Sequence, residues 1–426
     1  MIRSYVVRFR ALSLFAVAVA VLALASCSED IGAGGACPLL CPQDAAPLKD
    51  TIIDAITFDT SVAGFPDLGF ESNLTLARRG DTLDTRVIIR FDSLPKSYTF
   101  GSDDSTIVRI DSAFVRAIVP PSDTALKFKS TATIEVYDVT DAANDTAVAS
   151  LAAQFTAANR IGSLPYGVDA SPDTVTIQID TARVRSRIQN GQSLRVGLRL
   201  VTAGSDQIRF ISQSSGEGLT LNLYPKRTAE TIIIRRPAKS LTPAEPEYLR
   251  AAHADFTIAV TGSVPAANIL RVGGFPGRRV LLRFNIPSRI VDSTVVIRAT
   301  LFLTQRASQT PDAGDAATVH IVPVVVSSLV TDIHQLLEFS GSSGAFPVDS
   351  VTVLPRDSAR RELQLVTLVR SWRNQDTIRT PRLAALYLSS ESTRNAGIDF
   401  FSTEAPIGVR PQLRLTFVTR VSTGRP

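Results

Sequence analysis

The run Leu-Arg-Val-Gly-Leu-Arg-Leu at residues 194–200 places an apolar side chain at every second position. Successive side chains of a β-strand point to opposite faces, so this alternation indicates a strand with one packed face and one wet face. Such strands are typical of antiparallel sheets. The same alternation recurs at residues 133–137, 175–180, 219–223 and 413–417.

Helical periodicity is scarce, and only residues 181–189 and 366–374 predict short helices. A parallel sheet would need a crossover connection, usually a helix, between its strand pairs. Many short alternating strands with little helix are typical of sandwiches and jelly rolls. We therefore expect an all-β protein with two tandem antiparallel β-sandwich, jelly-roll-like domains.

An internal repeat supports two domains. Six segments recur in the same order at offsets of 185 to 196 residues. The pairs are 74–77 with 270–273, 86–92 with 279–285, 133–136 with 318–321, 177–179 with 363–365, 208–210 with 398–400, and 219–223 with 413–417. We place the domains at residues 49–234 and 248–420. Three prolines in residues 235–247 predict a semi-rigid linker between them.

The amino terminus has the pattern of an export signal. Three arginines occur in residues 1–10, and an uncharged apolar run fills residues 11–25. That run is shorter than the roughly twenty residues that span a bilayer. The sequence Leu-Ala-Ser before Cys27 resembles a bacterial lipobox, which implies removal of residues 1–26 and acylation of Cys27. An ordinary signal peptide cut near Ala25 is the alternative.

Residues 27–48 predict a tether, because they are rich in Gly, Ala and Pro and lack periodicity. Within it, Cys37 and Cys41 could form a disulfide, since export favours oxidation. Two free thiols are the alternative. Zinc is a distant third, because a structural zinc site needs four ligands and none of the three histidines is near in sequence. Serine at position 28, by similarity to lipoproteins of bacteria with two membranes, implies the outer membrane, on its periplasmic or surface face.

Charge argues against nucleic acid as a partner. The formal net charge of +5 falls to +2 once residues 1–26, with three arginines and no acidic residue, are removed. No basic stripe of the kind that binds nucleic acid is evident. The expected partners are the membrane, through the lipid anchor, and either a polysaccharide or an envelope protein.

The second domain resembles a DNRLRE-type module, a β-sandwich of secreted and surface bacterial proteins. The resemblance lies in segments spread over residues 254–417, whereas the first domain shares mainly the strand at 88–92. The segments of the second domain that carry the resemblance are 254–256, 270–274, 281–285, 299–303, 365–372, 398–404 and 410–413. The resemblance implies carbohydrate binding, in some members of acidic polysaccharide.

Aromatic rings are the first candidates for such binding, because flat rings can cover the apolar face of a sugar. Tyr137 ends a strand, and Tyr98 and Tyr166 are expected in loops, so all three are candidates for stacking. Trp372 lies among Leu365, Leu368 and Val369 at helical spacing, which favours the core.

Arginines are the second candidates. Arg195 and Arg199 predict an exposed row that either contacts an acidic ligand or only confers solubility. Arg90 and Arg283 occupy equivalent strand positions and could grip carboxylates, or pair with an acid such as Glu404.

Catalysis and metal binding are not expected. The three histidines, His253, His320 and His334, fall in no catalytic motif. Asp103 and Asp104 are expected in a solvated loop. A calcium site is the sharper alternative, and no other cofactor is expected.

We therefore expect a lipid-anchored, non-catalytic binding protein, with polysaccharide as the ligand class. A structural or adhesion protein of the envelope is the alternative. A hydrolase or lyase would need His, Tyr, Arg and acidic residues in one groove.

Overall fold

In a computed structural model the chain is described over residues 47–419. Gaps in that description fall at 101, 122–127, 129, 141–144, 146, 169–172, 217, 227–230, 236–254, 263, 309–315, 326–331, 343–345, 376, 378–379, 390 and 392–396. The described residues form antiparallel sheets with a few short helices, which confirms the expected all-β sandwich class. None of their helices has the length and hydropathy to cross a membrane.

The first thirteen strands are β1 (Lys49–Ile53), β2 (Ile56–Ala63), β3 (Asn73–Arg79), β4 (Leu83–Phe91), β5 (Ser97–Phe100), β6 (Asp103–Thr106), β7 (Ile110–Ile118), β8 (Ala132–Asp138), β9 (Arg160–Tyr166), β10 (Thr174–Ile179), β11 (Leu194–Thr202), β12 (Ser205–Ile211) and β13 (Thr220–Pro225). The remaining strands are β14 (Ile232–Arg235), β15 (Asp255–Thr261), β16 (Ile269–Gly273), β17 (Arg278–Phe284), β18 (Thr294–Arg306), β19 (Ala317–Val324), β20 (Asp349–Val353), β21 (Arg360–Gln364), β22 (Arg382–Leu388), β23 (Gly397–Phe401) and β24 (Gln412–Thr419). The α-helices are α1 (Val148–Ala153), α2 (Thr181–Gln189), α3 (Ser288–Val291), α4 (Ile333–Ser342) and α5 (Val366–Ser371).

The first sandwich is one sheet that folds over on itself. Its strand order is β12-β3-β4-β11-β8-β9-β10-β7-β13-β14, and β15 adds to the other edge of β4. Inward side chains of β11, such as Val196 and Leu198, share a core with Val115 of β7 and Ile177 of β10. The alternation that predicted β11 therefore reports the face of the sheet that packs on this core.

The second sandwich has two separate sheets. One sheet has the order β2-β17-β22-β19-β20, and the other has the order β1-β24-β18-β23-β16, with β21 on β18. Leu282 of β17, Leu301 of β18 and Leu415 of β24 belong to the core between them. Trp372 lies in this core, with its ring centroid 5.2 Å from that of Phe284, as its helical spacing predicted.

The six repeated segments all fall on strands, to within one residue of a strand end, and corresponding strands have corresponding neighbours. For example, β8 pairs with β11 in the first sandwich, and the corresponding strands β19 and β22 pair in the second. Likewise, β13 pairs with β7, and the corresponding β24 pairs with β18. Helix α2 matches the expected residues 181–189, and Asp180 caps it by accepting a hydrogen bond from the Ala182 amide at 2.8 Å. Helix α5 begins at the expected residue and ends earlier, at Ser371.

Strand pairing crosses the expected domain boundaries. Strands β1 and β2, at the start of the chain, pair with β24 and β17 of the second sandwich. Strands β14 and β15 take the equivalent places on β13 and β4 of the first sandwich. The first sandwich is therefore inserted between the first two strands and the remainder of the second.

This arrangement moves the connection between the sandwiches away from residues 235–247. Arg235 ends β14, and the chain returns to the same sandwich at β15. The sandwiches are joined instead by residues 64–72 and 262–268, which we name the first and second crossover segments. Alternation shows that a segment is a strand but does not select its partner, and two similar sheets offer equivalent edges.

Candidate functional site

Each sandwich carries a small apolar cluster on the outer face of one sheet. On the first, α1 covers the sheet, and Leu151 packs with Ile88, Phe155 and Phe256. On the second, α4 covers the sheet, and Leu337 packs with Phe65 and Leu281. These outer clusters lie outside the main cores and make the two sandwiches directly comparable.

An arginine at the start of the repeated segment supports each outer cluster. Arg86 donates to the carbonyl of Ala152 in α1, and Arg279 donates to the carbonyl of Leu337 in α4. Each guanidinium lies 4.5 Å from the centroid of a phenyl ring, Phe155 for Arg86 and Phe65 for Arg279. Each arginine therefore joins a sheet to its covering helix.

The surroundings of the two arginines differ. Arg86 pairs with the buried Asp84 of its own strand, at 2.9 Å. Arg279 pairs with Glu391 beyond β22 and also lies 5.6 Å from the ring centroid of Tyr387. A cavity of about 340 Å³ opens beside Arg279. We name this cavity the crossover cleft, and its lining is Phe65, Pro66, Asp67, Phe70, Arg279, Glu338, Tyr387, Leu388, Ser389 and Glu391.

The crossover cleft combines ring faces with hydrogen-bonding groups. The Phe70 residue is 46% exposed, which makes it the most accessible ring of the lining. The carboxylate of Glu391 accepts from Nε of Arg279 at 3.1 Å and from Nη2, which holds the guanidinium in one plane. Burial raises the pKa of Tyr387, so its hydroxyl stays protonated at neutral pH and can donate a hydrogen bond.

Three groups with metal-ligand chemistry meet at one end of the cleft. Helix α4 places His334 and Glu338 one turn apart, with Nδ1 of the imidazole 3.0 Å from Oε1 of the carboxylate. Asp67, in the first crossover segment, brings a carboxylate to the same place. The ligand atoms of the three residues lie within 4.8 Å of one another. Sequence analysis did not identify this cluster: the four-residue spacing of His334 and Glu338 is the one local signal for it, and Asp67 lies in a distant segment.

A smaller cavity of about 100 Å³ lies between the first crossover segment, β15 and residues 274–277, and Glu71 lines it. The Glu71 carboxylate accepts from the amides of Gly69 at 2.6 Å and Thr257 at 3.4 Å. Burial, with a smaller contribution from the neighbouring Asp255, raises the pKa of Glu71 to about 8. The passage between the sandwiches therefore contains a carboxyl group that is mostly protonated at pH 7.

The three tyrosines predicted to stack on sugars are buried, so that expectation is corrected. Tyr98, Tyr137 and Tyr166 are only 8%, 4% and 5% exposed. Tyr98 lies in the β5–β6 hairpin and Tyr166 at the end of β9, and both join the first core. Tyr137 does point to the outer face, but Phe155 covers it at 4.9 Å and its hydroxyl donates to Glu135. Local sequence did not reveal these covering groups.

Arg195 and Arg199 lie on the outer face of β11, yet they do not form an exposed row. The Arg195 side chain is 11% exposed and lies 3.1 Å from Asp145, which also pairs with Arg90. Arg199 is half-buried and hydrogen-bonds to Tyr137. Both guanidinium groups therefore interact with side chains of the first sandwich, Arg195 with Asp145 and Arg199 with Tyr137.

Asp103 and Asp104 lie in strand β6 and not in a loop, and the Asp104 carboxylate accepts from the Thr99 hydroxyl at 2.7 Å. Cys27, Cys37, Cys41 and the signal segment 1–26 lie outside the described residues.

Comparisons with known proteins leave the family open. No family model matches the chain, and no curated protein matches it. Among solved structures, the alignment with a structure of the Macrobrachium rosenbergii nodavirus covers 92% of this chain and 96% of the viral chain. The identity is 12% and the TM-score is 0.20. A recombinant N-glycanase F (PNGase F) covers 82% and 97%, with 10% identity and a TM-score of 0.18. Structural similarity at TM-scores this low carries no argument about function.

Proposed function

We propose that this chain is a non-catalytic binding protein, anchored at the outer membrane through Cys27, whose ligand is a polysaccharide seated in the crossover cleft. The observation that supports this ligand class is the pairing of the exposed Phe70 ring with fixed polar groups. Arg279 and Glu391 hold each other in place, so their remaining hydrogen-bonding capacity is directed without further ordering. A sugar presents an apolar face to a ring and hydroxyl groups to such a pair.

The cleft replaces the surfaces that the sequence indicated. The predicted tyrosines are covered, and Arg195 is paired within the first sandwich. By contrast, Phe70 and Tyr387 line a concave surface of a size that holds small molecules. A polysaccharide would insert one or two residues into the cleft and extend along the surface beyond it.

A hydrolase or lyase is the second candidate, because the cleft does bring His334, Tyr387, Arg279 and acidic residues together. Two features favour binding over catalysis. A tyrosine that abstracts a proton needs a lowered pKa, whereas burial raises the pKa of Tyr387. Arg279 is already neutralised by Glu391, which leaves less positive charge to stabilise a transition state.

Calorimetry of the purified full-length chain in mild detergent, with a panel of neutral and acidic polysaccharides, tests the proposal. Saturable binding to one class is expected. Phe70→Ala should weaken that binding roughly three- to tenfold, the range for a lost aromatic contact. Phe346→Ala is the matched control, because Phe346 is 86% exposed and lies outside the cleft lining.

Two results would count against the proposal. Silence across a broad panel, from a protein shown to be folded, would favour the structural or adhesion role. Release of new reducing or unsaturated ends from a bound polysaccharide would favour the enzyme, and incubation of each ligand with the protein checks for it.

A further inference from the structure

We propose that Asp67, His334 and Glu338 form a binding site for one divalent transition-metal ion, with zinc as the first candidate. The three side chains offer one nitrogen and two oxygens within 4.8 Å of one another. Zinc bonds of about 2.0–2.2 Å would place tetrahedral ligands about 3.4 Å apart. Small side-chain movements from the present geometry therefore suffice to close the site.

The imidazole is held in place independently of any ion. Its ring stacks on Phe65, with centroids 4.7 Å apart and an angle of 14° between the planes. The amides of Gly64 and Phe65 both donate to the carbonyl of Gly277, at 2.9 and 3.1 Å, which fixes the backbone beneath the ring. At the start of α4, Asp332 accepts from the His334 amide at 2.9 Å. A preorganised ligand loses less freedom on binding.

Gly64 gives the imidazole its room. A Cβ at this residue would lie 2.7 Å from Nε2 of His334, so only glycine admits the ring in this position. Gly64 also has φ of +111°, a conformation that other residues rarely adopt. Since Nε2 faces this backbone, Nδ1 is the nitrogen that faces the carboxylates, consistent with its 3.0 Å distance to Glu338.

The residue types select the class of ion. An imidazole together with carboxylates suits zinc and its neighbours, whereas calcium and magnesium prefer oxygen ligands throughout. Asp67 and Glu338 both line the crossover cleft, so a fourth position on the ion would face solvent. Three protein ligands with one open position is a familiar zinc arrangement.

Binding would fasten the first crossover segment to α4. Asp67 lies between β2 and β3, so the ion would connect the passage between the sandwiches to the helix that covers the second one. This site is independent of the proposed polysaccharide, because metal binding can be measured with no sugar present.

Cobalt(II) and zinc titrations of the full-length protein, freed of metal by chelator, provide the test. One ion per chain is expected, with visible cobalt bands typical of mixed nitrogen and oxygen ligands and an upward shift in melting temperature. Asp67→Asn and Glu338→Gln should each weaken binding at least tenfold. Glu404→Gln removes a solvent-exposed carboxylate elsewhere in the second sandwich and should bind as the wild type does.

Several results would overturn the proposal. Absence of saturable binding by the folded protein is one, and affinity unchanged in both Asp67→Asn and Glu338→Gln is another. A thiolate-to-cobalt charge-transfer band would place the ion on Cys37 and Cys41 instead. A preference for calcium over zinc would exclude the imidazole as a ligand.

Discussion

The outer faces of the two sandwiches place equivalent arginines, Arg86 and Arg279, in different surroundings. On the first, Phe155 follows α1 directly and covers Arg86, so the cluster is completed within one sandwich. On the second, the ring over Arg279 is Phe65, which arrives from the start of the chain. The outer cluster of the first sandwich is covered by α1 and Phe155. The second sandwich has the crossover cleft, at the place where the first crossover segment leaves it toward the first sandwich. Equivalent arginines therefore support a closed apolar cluster in one repeat and border an open cavity in the other.

Removal of the ring from each cluster should have the largest effect on this comparison. Phe155→Ala and Phe65→Ala each delete a buried phenyl ring and should lower the free energy of unfolding by about 3 kcal/mol. Denaturant unfolding measures both losses. Only Phe65→Ala should also weaken metal binding, because Phe65 orients His334. Equal loss of metal binding in the two variants would show that the faces are not distinct.

Protonation of Glu71 should make the passage between the sandwiches sensitive to pH. Its pKa in the folded chain is about 8, above the ordinary value of 4.5, so the folded state retains a proton that the unfolded state releases. The stabilising effect of that proton is full below pH 4.5 and is lost as pH rises to 8, with a slope of at most about 1.4 kcal/mol per pH unit.

Glu71→Gln keeps a neutral group of similar shape and should therefore remove this slope. At pH 8 the variant should be more stable than the wild type by about 4 kcal/mol, because the slope acts over most of the interval between pH 4.5 and pH 8. Unfolding curves between pH 5 and pH 8 measure the effect. A variant whose stability follows the wild type at every pH would show that Glu71 is ionised in the folded chain.

Gly64→Ala should have a smaller effect on stability, of about 1–2 kcal/mol, because it forces an unfavourable φ and displaces His334. Gly80→Ala is the control, since Gly80 also has positive φ but its added Cβ meets nothing within 4 Å. Thermal unfolding should rank Gly64→Ala below Gly80→Ala, and zinc affinity should fall only in the former. The opposite ranking would argue against the close approach of the imidazole.

Phe70→Ala should have the smallest effect on stability, about 0.5 kcal/mol, because the residue is 46% exposed and belongs to none of the buried apolar clusters. Its effect on polysaccharide binding should be much larger than that. A large loss of stability would instead give Phe70 a structural role at the cleft.

The sequence was informative about strands because alternation is a local property. Residues 194–200 and 413–417 fall in β11 and β24, and the repeat correctly matches corresponding strands in the two sandwiches. Trp372 was predicted to be buried for the same reason, since helical spacing places it beside its apolar neighbours.

The candidate site could not be predicted in that way. Asp67 and His334 meet only because β2 pairs with β17, and alternation does not distinguish that pairing from one with β4. Exposure of Tyr137 was misjudged because its cover, Phe155, comes from another segment. Contacts between distant segments decide both the cleft and the burial of the tyrosines.

The pairing of β2 with β17 is the foundation of the crossover cleft, and cysteine cross-linking tests it most directly. In the full chain with Cys27, Cys37 and Cys41 replaced by serine, Ser61→Cys is combined with Val280→Cys, its cross-strand partner. A second chain combines Ser61→Cys with Val87→Cys, the equivalent position of β4. Directly opposed residues of antiparallel strands lie within reach of a disulfide. The account predicts rapid cross-linking with Val280→Cys alone, and cross-linking with Val87→Cys instead would contradict it.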